Sequence, residues 1–212
     1  MLIIRAYING FIAKPFSRVA HTPIIGIFGD STGVGAGASS PQKSLAGLIG
    51  THYPSATIIN KSIHGKRIKK TTNILAKQGN FDLIIICCVG IDILFLQKNS
   101  QIKKDLQKLF CIASQKSKNI LYITPLNVSL STAIPRFLKK YYFNKSKQVG
   151  LIIEKESKNY PNITVVNNLL IDNHSIPDYN TISCPDRIHP NDLGYLWIYN
   201  KIKPKLPKLI KI

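Results

Sequence analysis

The chain has 212 residues, of which 44% are apolar, and this length and composition fit one globular domain with a substantial core. Lysine and arginine number 29 against 10 acidic residues, giving a net charge of +19, and such an excess attracts anionic surfaces. The basic residues form no single stripe interleaved with aromatic residues, so nucleic-acid binding is not expected.

The first 22 residues are predicted to be an extension that precedes the folded domain. Their apolar run is interrupted by Arg5, Lys14 and Arg18 and has no basic region before it. It therefore fits neither a signal peptide nor a bilayer span of about 20 apolar residues. An amphipathic helix on a membrane surface stays open as an alternative. We expect a cytoplasmic protein, with peripheral contact to an anionic membrane as that alternative.

Five short runs rich in isoleucine and valine predict parallel strands that are buried on both faces of a sheet. They lie at residues 23–28, 56–60, 82–89, 119–124 and 162–168. The segments between them carry apolar residues three and four apart, which is typical of amphipathic helices. The chain thus alternates strand and helix, and the predicted fold class is α/β with a five-stranded parallel sheet flanked by helices.

A long loop, residues 169–188, follows the last predicted strand, and long loops in compact domains are often functional. The segment 189–202 then predicts a closing helix with Pro190 in its first turn. We expect the folded domain to span residues 23–205 and the basic residues 206–212 to form a solvated tail.

The four cysteines form no C-x-x-C pair, and two of them are adjacent within an apolar run; they are Cys87, Cys88, Cys111 and Cys184. This spacing fits neither a disulfide framework nor a zinc site. We expect four small buried hydrophobic residues in a reduced protein.

In an open parallel sheet, ligands bind beyond the carboxyl ends of the strands, so the loops after the strands hold the candidate site. The first of these loops is "GDSTGVGAG", residues 29–37. It lacks the G-x-G-x-x-G order of a dinucleotide fingerprint and the Gly-Lys-Ser/Thr ending of a P-loop. Residues 29–33 match the G-x-S-x-G pattern around a nucleophilic serine, which makes Ser31 a candidate nucleophile. Asp30 is interpreted as an organiser of the loop through nearby backbone amides.

The partners of Ser31 are expected near the carboxyl terminus, in "DRIH". The spacing of Asp186 and His189 allows a carboxylate to lie beside an imidazole within one turn of chain. The carboxylate would fix the histidine tautomer and leave the other ring nitrogen free to accept the serine proton. Two alternatives stay open: the pair caps the closing helix, or Asp172 and His174 form a weaker rival pair.

These features resemble the SGNH hydrolases, also called GDSL-like esterases and lipases. The resemblance covers residues 24–200 and rests on motifs in a fixed order relative to the strands. They are "GDS" at 29–31, the glycine after the second strand, here Gly65, and D-x-x-H at 186–189.

The resemblance implies a three-layer, flavodoxin-like fold with Ser31 as nucleophile, His189 as general base and Asp186 as the partner that orients the histidine. In that family the oxyanion is held by the backbone N–H groups of the serine and of the second-block glycine, here Ser31 and Gly65. The side chain of an asparagine from a third block, G-x-N-D, supplies another donor.

The third block departs from the family pattern. Its counterpart is "VGID", in which Val89 stands for the glycine and Ile91 for the asparagine. A second placement takes Gly90 as the family glycine and does not restore the asparagine either. Loss of one oxyanion donor typically slows turnover by about 10²- to 10³-fold. Three side chains are candidate substitute donors: Asn127, Asn60 and His64.

The sequence therefore predicts a serine esterase that forms an acyl-enzyme and needs no metal or organic cofactor. The expected substrates are small-molecule or lipid esters, with acyl, lysophospholipid and O-acetyl esters as the classes that the resemblance implies. The alternative is a catalytically weak or inactive SGNH-fold protein that binds an acyl or glycan ligand, because Val89 and Ile91 interrupt the oxyanion block.

Overall fold

A computed structural model describes residues 8, 12–171 and 175–210 of the chain. All neighbouring strand pairs of its sheet are parallel, and the strand order is β2-β1-β3-β4-β5. This is the flavodoxin-like order of a doubly wound sheet, so the predicted α/β fold with five parallel strands is confirmed. The strands are β1 (His21–Gly29), β2 (Ala56–Asn60), β3 (Leu83–Cys87), β4 (Ile120–Ile123) and β5 (Ile163–Val166).

Helices connect the strands and return the chain to the amino edge of the sheet. The α-helices of the described residues are α1 (Ser31–Val34), α2 (Leu45–His52), α3 (Ile68–Ala76), α4 (Gly90–Leu94), α5 (Asn99–Lys116), α6 (Lys139–Ser157), α7 (Tyr179–Ile182), α8 (Asp192–Ile202) and α9 (Leu206–Leu209). Short 3₁₀ turns span Pro41–Lys43, Val128–Leu130 and Arg136–Leu138. The winding direction reverses between β1 and β3, which is where doubly wound sheets open a ligand crevice.

Alternate strand residues face opposite helix layers, because side chains along a strand alternate between the two faces. Ile25, Ile27 and Ile85 belong to a core cluster with residues of α2, α8 and α9. Phe28 and Ile86 belong to the cluster on the other face, with residues of α3, α5 and α6. These five side chains are at most 1% exposed, so the central strands β1 and β3 are buried on both faces, whereas the edge strand β5 is mostly only partly buried. The sheet forms the middle of three layers.

The closing helix begins later than predicted. The side chain of Asn191 caps α8 by accepting a hydrogen bond from the Gly194 N–H at 3.0 Å. Pro190 lies before this cap and forms an isolated bridge with Ser183, so the prediction that Pro190 occupies the first turn is wrong. Asn191, rather than Asp186 or His189, caps the helix.

The segment after residue 205 differs from the expected solvated tail. Leu206 and Ile210 are at most 1% exposed and belong to the core cluster on the α8 face. Their spacing of four places both on one side of a helical turn, while Lys208 between them is exposed.

Three of the four cysteines are buried and all four are free thiols, but Cys111 is exposed. The prediction of burial is wrong for Cys111 because this residue lies on the outer face of α5, whereas its neighbour Phe110 faces the core.

The last part of the predicted extension joins the sheet region. Arg18 forms an antiparallel bridge with Ile58 of β2. The alternative of an amphipathic surface helix in the opening segment falls largely on residues 1–7 and 9–11, which lie outside the described residues. None of the helices in the described part of the chain combines the length and apolar character needed to cross a bilayer.

Candidate active site

Ser31 is the first residue of α1, directly after β1, and is 7% exposed. Asp30 precedes it as the helix cap, and its Oδ1 accepts a hydrogen bond from the Thr32 N–H at 3.1 Å. Gly29 allows this tight turn, because a Cβ there would lie 1.9 Å from the carbonyl oxygen of Cys87. The sequence around Ser31 thus fixes a buried turn at the carboxyl edge of β1.

Asp30 organises the turn, in accord with its predicted role. Burial raises the pKa of Asp30 to about 6, against the lowering effects of the Thr32 hydrogen bond, the charge of His189 and the Gly90 amide. Asp30 is therefore ionised above this pH and links the loops after β1 and β3.

Asp186 and His189 form a buried hydrogen-bonded pair. Oδ2 of Asp186 lies 2.8 Å from Nδ1 of His189, and the side chains are 0% and 5% exposed. Oδ1 of Asp186 accepts from the backbone N–H groups of Ile188 at 2.8 Å and of His189 at 2.9 Å. The carboxylate is thus held by the same short loop that carries the imidazole.

The charge state of Asp186 follows from this arrangement. Burial alone would raise its pKa, but the hydrogen bond and charge of His189 hold the pKa well below its usual range. An ionised Asp186 accepts a hydrogen bond from Nδ1–H of His189. Nε2 is then the ring nitrogen that can accept a proton.

The loop that carries Asp186 and His189 packs directly on the loop after β1, which carries Ser31. A Cβ at Gly37 would lie 2.3 Å from the carbonyl oxygen of Pro190 and 3.0 Å from Cβ of His189. The hydroxyl of Tyr195 donates to the Ala36 carbonyl at 2.9 Å. These contacts bring together two segments that lie near opposite ends of the chain.

The loop after β2 closes another side of the site. The backbone N–H of Ile63 donates to the Gly29 carbonyl at 3.0 Å, which ties this loop to the Ser31 turn. Gly65 has a φ of +69°, the left-handed conformation that favours glycine. The ring centroids of His64 and His189 are 5.9 Å apart, and burial, with the nearby charges of His189 and Lys66, lowers the pKa of His64.

The backbone N–H groups of Ser31 and Gly65 are the predicted oxyanion donors. Within residues 12–171 and 175–210, no group accepts a hydrogen bond from either of them. Both donors are thus available at the carboxyl edge of the sheet.

The third block begins with an unusual backbone conformation. Val89 has a φ of +100°, in the region that β-branched residues rarely adopt, whereas Gly90 has no such angle. The conformation that favours glycine thus lies at Val89, which supports the placement of Val89 rather than Gly90 opposite the glycine of the G-x-N-D pattern. Ile91 follows on α4 and supplies no donor. Asp92 is buried and its Oδ2 accepts from the Ile68 N–H at 3.2 Å.

The candidate substitute donors differ in their existing contacts. Asn60 uses Nδ2 to donate to the Gly33 carbonyl at 2.8 Å and Oδ1 to accept from Ser62, so its amide is already engaged. Asn127 accepts with Oδ1 from the N–H and hydroxyl of Ser129. Its Nδ2 makes no hydrogen bond to any described residue, which makes Asn127 a stronger candidate than Asn60.

Sequence reasoning did not assign Cys184 to the site. One ligand atom from each of Cys184, Asp186 and His189 lies within 4.8 Å of the others, a grouping that could hold a metal ion. The facing oxygen and nitrogen of Asp186 and His189 are engaged with each other at 2.8 Å, so a shared metal would displace that hydrogen bond. The position of Cys184, two residues before Asp186, was the available signal. The rival pair Asp172 and His174 lies outside the described residues.

No protein-family model matches the sequence, and no curated protein matches it. Solved structures do match. A structure from Bacteroides ovatus described as a GDSL-like lipase superposes with a TM-score of 0.66 at 21% identity, over 92% of this chain and 56% of that one. The chain thus spans little more than half of that protein.

Two further matches cover nearly the whole of both chains. TesA gives a TM-score of 0.68 at 17% identity over 88% of this chain and 99% of its own. The psychrotrophic esterase EstA from Pseudoalteromonas sp. gives 0.66 at 16% identity over 90% of this chain and 100% of its own. The shared architecture is that of the GDSL-like lipases and esterases.

Proposed function

We propose that this chain, which has the SGNH hydrolase fold, is a serine-dependent hydrolase of carboxylic esters. The observation that carries the proposal is the buried hydrogen bond between Asp186 and His189, on a loop packed against the turn that presents Ser31. This combination supplies a nucleophile, a base and a group that orients the base.

In the proposed mechanism, Ser31 Oγ attacks the ester carbonyl carbon while Nε2 of His189 accepts the hydroxyl proton. Asp186 stays ionised and stabilises the imidazolium through Nδ1. Collapse of the tetrahedral intermediate breaks the bond to the leaving alkoxide, which takes the proton from His189, and an acyl-enzyme remains. Water, deprotonated by His189, then attacks the acyl-enzyme, releases the carboxylic acid and restores Ser31.

The unclaimed N–H groups of Ser31 and Gly65 are proposed to bind the oxyanion, with Nδ2 of Asn127 as a further donor. Backbone donors fixed before the reaction stabilise developing charge at little reorganisation cost. The proposed substrates are small-molecule or lipid esters, within the acyl, lysophospholipid and O-acetyl classes.

One observation favours a second candidate function. Ile91 occupies the asparagine position of the third block and donates no hydrogen bond. A chain that binds an acyl or glycan ligand with slow or no turnover would have this feature. Such a protein would gain thermal stability with its ligand, and one without turnover would not react with serine-directed probes.

A fluorophosphonate probe tests the proposal, because it phosphonylates only an activated serine. We expect labelling of the wild type and hydrolysis of short p-nitrophenyl esters, and loss of both in Ser31→Ala and His189→Ala. Ser40→Ala is the matched control: Ser40 lies on the same loop and its side chain makes no capping hydrogen bond. A folded wild type without labelling and turnover would exclude the esterase and leave the binding protein.

A further inference from the structure

Five large apolar side chains are exposed at the edge of the sheet that holds the candidate site. They are Ile63 (39% exposed), Phe95 (66%), Leu96 (44%), Phe137 (83%) and Tyr141 (54%); we call them the rim. Each belongs to a segment between a strand's carboxyl end and the first turn of the next long helix. All five therefore lie on the same edge as Ser31 and His189.

Contacts between these segments hold the rim together. The guanidinium of Arg67, after β2, lies 5.8 Å from the ring centroid of Phe95, after β3. Arg67 also donates from Nη1 to Oε1 of Gln97 at 3.0 Å. The hydroxyl of Tyr142 on α6 donates to the Leu94 carbonyl at 2.9 Å. These contacts join the segments after β2, β3 and β4, which carry all five rim residues.

Exposed cations lie close to the rim residues along the chain. Lys66 and Arg67 precede α3, and Arg136 and Lys140 flank Phe137; all four are exposed. Each of these basic residues is within a few positions of a rim residue along the chain.

Three of the carboxylates that the described residues place at this edge face inward. Asp30, Asp92 and Asp186 are at most 4% exposed. Asp178 and Asp192, which follow β5, are the exceptions: Asp178 is exposed and Asp192 is partly exposed. The exposed charge around the rim is therefore predominantly positive.

We propose that the rim is a docking surface for an anionic lipid bilayer, which would present membrane esters to the candidate site. Aromatic and aliphatic side chains partition into the boundary between headgroups and acyl chains. A basic residue near an anionic surface contributes about 1 kcal/mol. The presentation of esters rests on the proposed function. Binding of the rim to the bilayer does not, because the rim residues are separate from the catalytic groups.

Two other occupants fit the rim less well. A second copy carries the same net charge of +19, which opposes self-association. Single-stranded nucleic acid stacks its bases on aromatic rings, but Ile63 and Leu96 are aliphatic and offer no ring. An anionic bilayer accommodates the cations, the rings and the aliphatic side chains together.

Vesicle sedimentation tests the proposal with full-length Ser31→Ala protein, so that binding is read without hydrolysis. The two probes are vesicles of phosphatidylcholine alone and of phosphatidylcholine mixed equally with anionic phosphatidylglycerol. We expect tighter binding to the mixed vesicles by about 10-fold or more, weakening as salt is raised. The double substitution Phe95→Ser with Phe137→Ser should weaken that binding by about 10-fold.

Matched controls separate the rim from net charge. Val19→Ser removes an apolar side chain that is 93% exposed at the opposite edge, before β1, and should leave binding unchanged. Arg136→Glu with Lys140→Glu should weaken binding more than Lys77→Glu with Lys118→Glu, which changes net charge equally at the opposite edge.

Binding that all variants share equally would overturn the proposal, as would binding to neutral vesicles alone. The same holds if single-stranded RNA binds more tightly than the mixed vesicles. If the wild type hydrolyses no ester but binding still depends on the rim, the proposed function is wrong and the docking surface is supported.

Discussion

At the scale of single residues, Ile91 is the point where the candidate site departs from the SGNH hydrolase pattern that the rest of the sequence resembles. An asparagine at this position would add a side-chain donor to the N–H groups of Ser31 and Gly65. We expect Ile91→Asn to raise the turnover of p-nitrophenyl esters by about 10- to 100-fold, since one oxyanion donor is worth about 10² to 10³ in rate.

Ile91→Leu is the control, because leucine is similar in volume and adds no donor; its turnover should match that of the wild type. A folded Ile91→Asn protein without a gain would contradict the placement of the third block at residues 89–92.

Asp92 gives a pH-dependent prediction. Burial raises its pKa to about 7, against the lowering effect of the Ile68 amide, and its Oδ1 has no partner among the described residues. Because the folded pKa lies above the ordinary value, the folded state binds more protons than the unfolded state between pH of about 4 and 7. Asp92 therefore lowers stability as pH rises through that window.

Asp92→Asn keeps an acceptor for Ile68 and removes the charge. We expect equal stability of variant and wild type near pH 4, and a variant more stable by about 1–3 kcal/mol near pH 8. Urea unfolding at both pH values measures this, with Asp178→Asn as an exposed control. A difference that does not change with pH would contradict the raised pKa of Asp92, because it would mean that the folded and unfolded states ionise this residue alike.

Sequence reasoning reached some site residues and not others for a physical reason. The contact between Asp186 and His189 spans three residues, so its spacing is visible in the sequence. The amide of Asn60 bonds Gly33, 27 positions away, and only the folded loops bring them together. Whether an asparagine is available as a donor therefore could not be predicted from its place after a strand.

At the scale of elements, the loop after β2 depends on the conformation of Gly65. A Cβ there would meet no atom within 4 Å, but φ is +69°. We expect Gly65→Ala to cost about 1 kcal/mol of stability from backbone strain alone. It should also lower turnover by about 10-fold or more as the N–H turns away from the oxyanion.

Gly79→Ala is the matched control for Gly65, because Gly79 is equally open and has no positive φ. Chemical unfolding and ester turnover should both leave Gly79→Ala at or near the wild type. Equal effects of the two substitutions would contradict the backbone explanation.

The predicted strands match the observed ones because buried parallel strands are continuous apolar runs. Helix ends were harder to predict. Pro190 fits the first turn of a helix as well as the position before a cap, and the hydrogen bond from Gly194 to Asn191 decided between them. The positive φ of Val89 could not be predicted either, because β-branched residues such as valine rarely adopt this conformation.

At the scale of the whole molecule, the end of the chain contributes to the core. Leu206 is 0% exposed and Leu193, also near the carboxyl terminus, is 59% exposed. We expect Leu206→Ala to lower the free energy of unfolding by about 2–4 kcal/mol, as burial of a leucine and the resulting cavity require. Leu193→Ala should lower it by less than about 0.5 kcal/mol, and urea unfolding compares the two.

If the residues after 205 were a solvated tail, Leu206→Ala and Leu193→Ala would have the same free energy of unfolding. The sequence predicted a basic tail because the lysines dominate its composition. The spacing of Leu206 and Ile210 could have predicted burial, but the surface that they cover is formed by α8 and the sheet, which composition does not describe.

The order of the site segments along the chain also bears on synthesis. Ser31 follows β1, whereas Asp186 and His189 follow β5, and contacts such as Tyr195 with Ala36 join the two. In the proposed enzyme, a nascent chain on the ribosome therefore carries its nucleophile long before its base. Incomplete translation products would hold an unactivated serine, so hydrolysis would begin only once the last loop has emerged and docked.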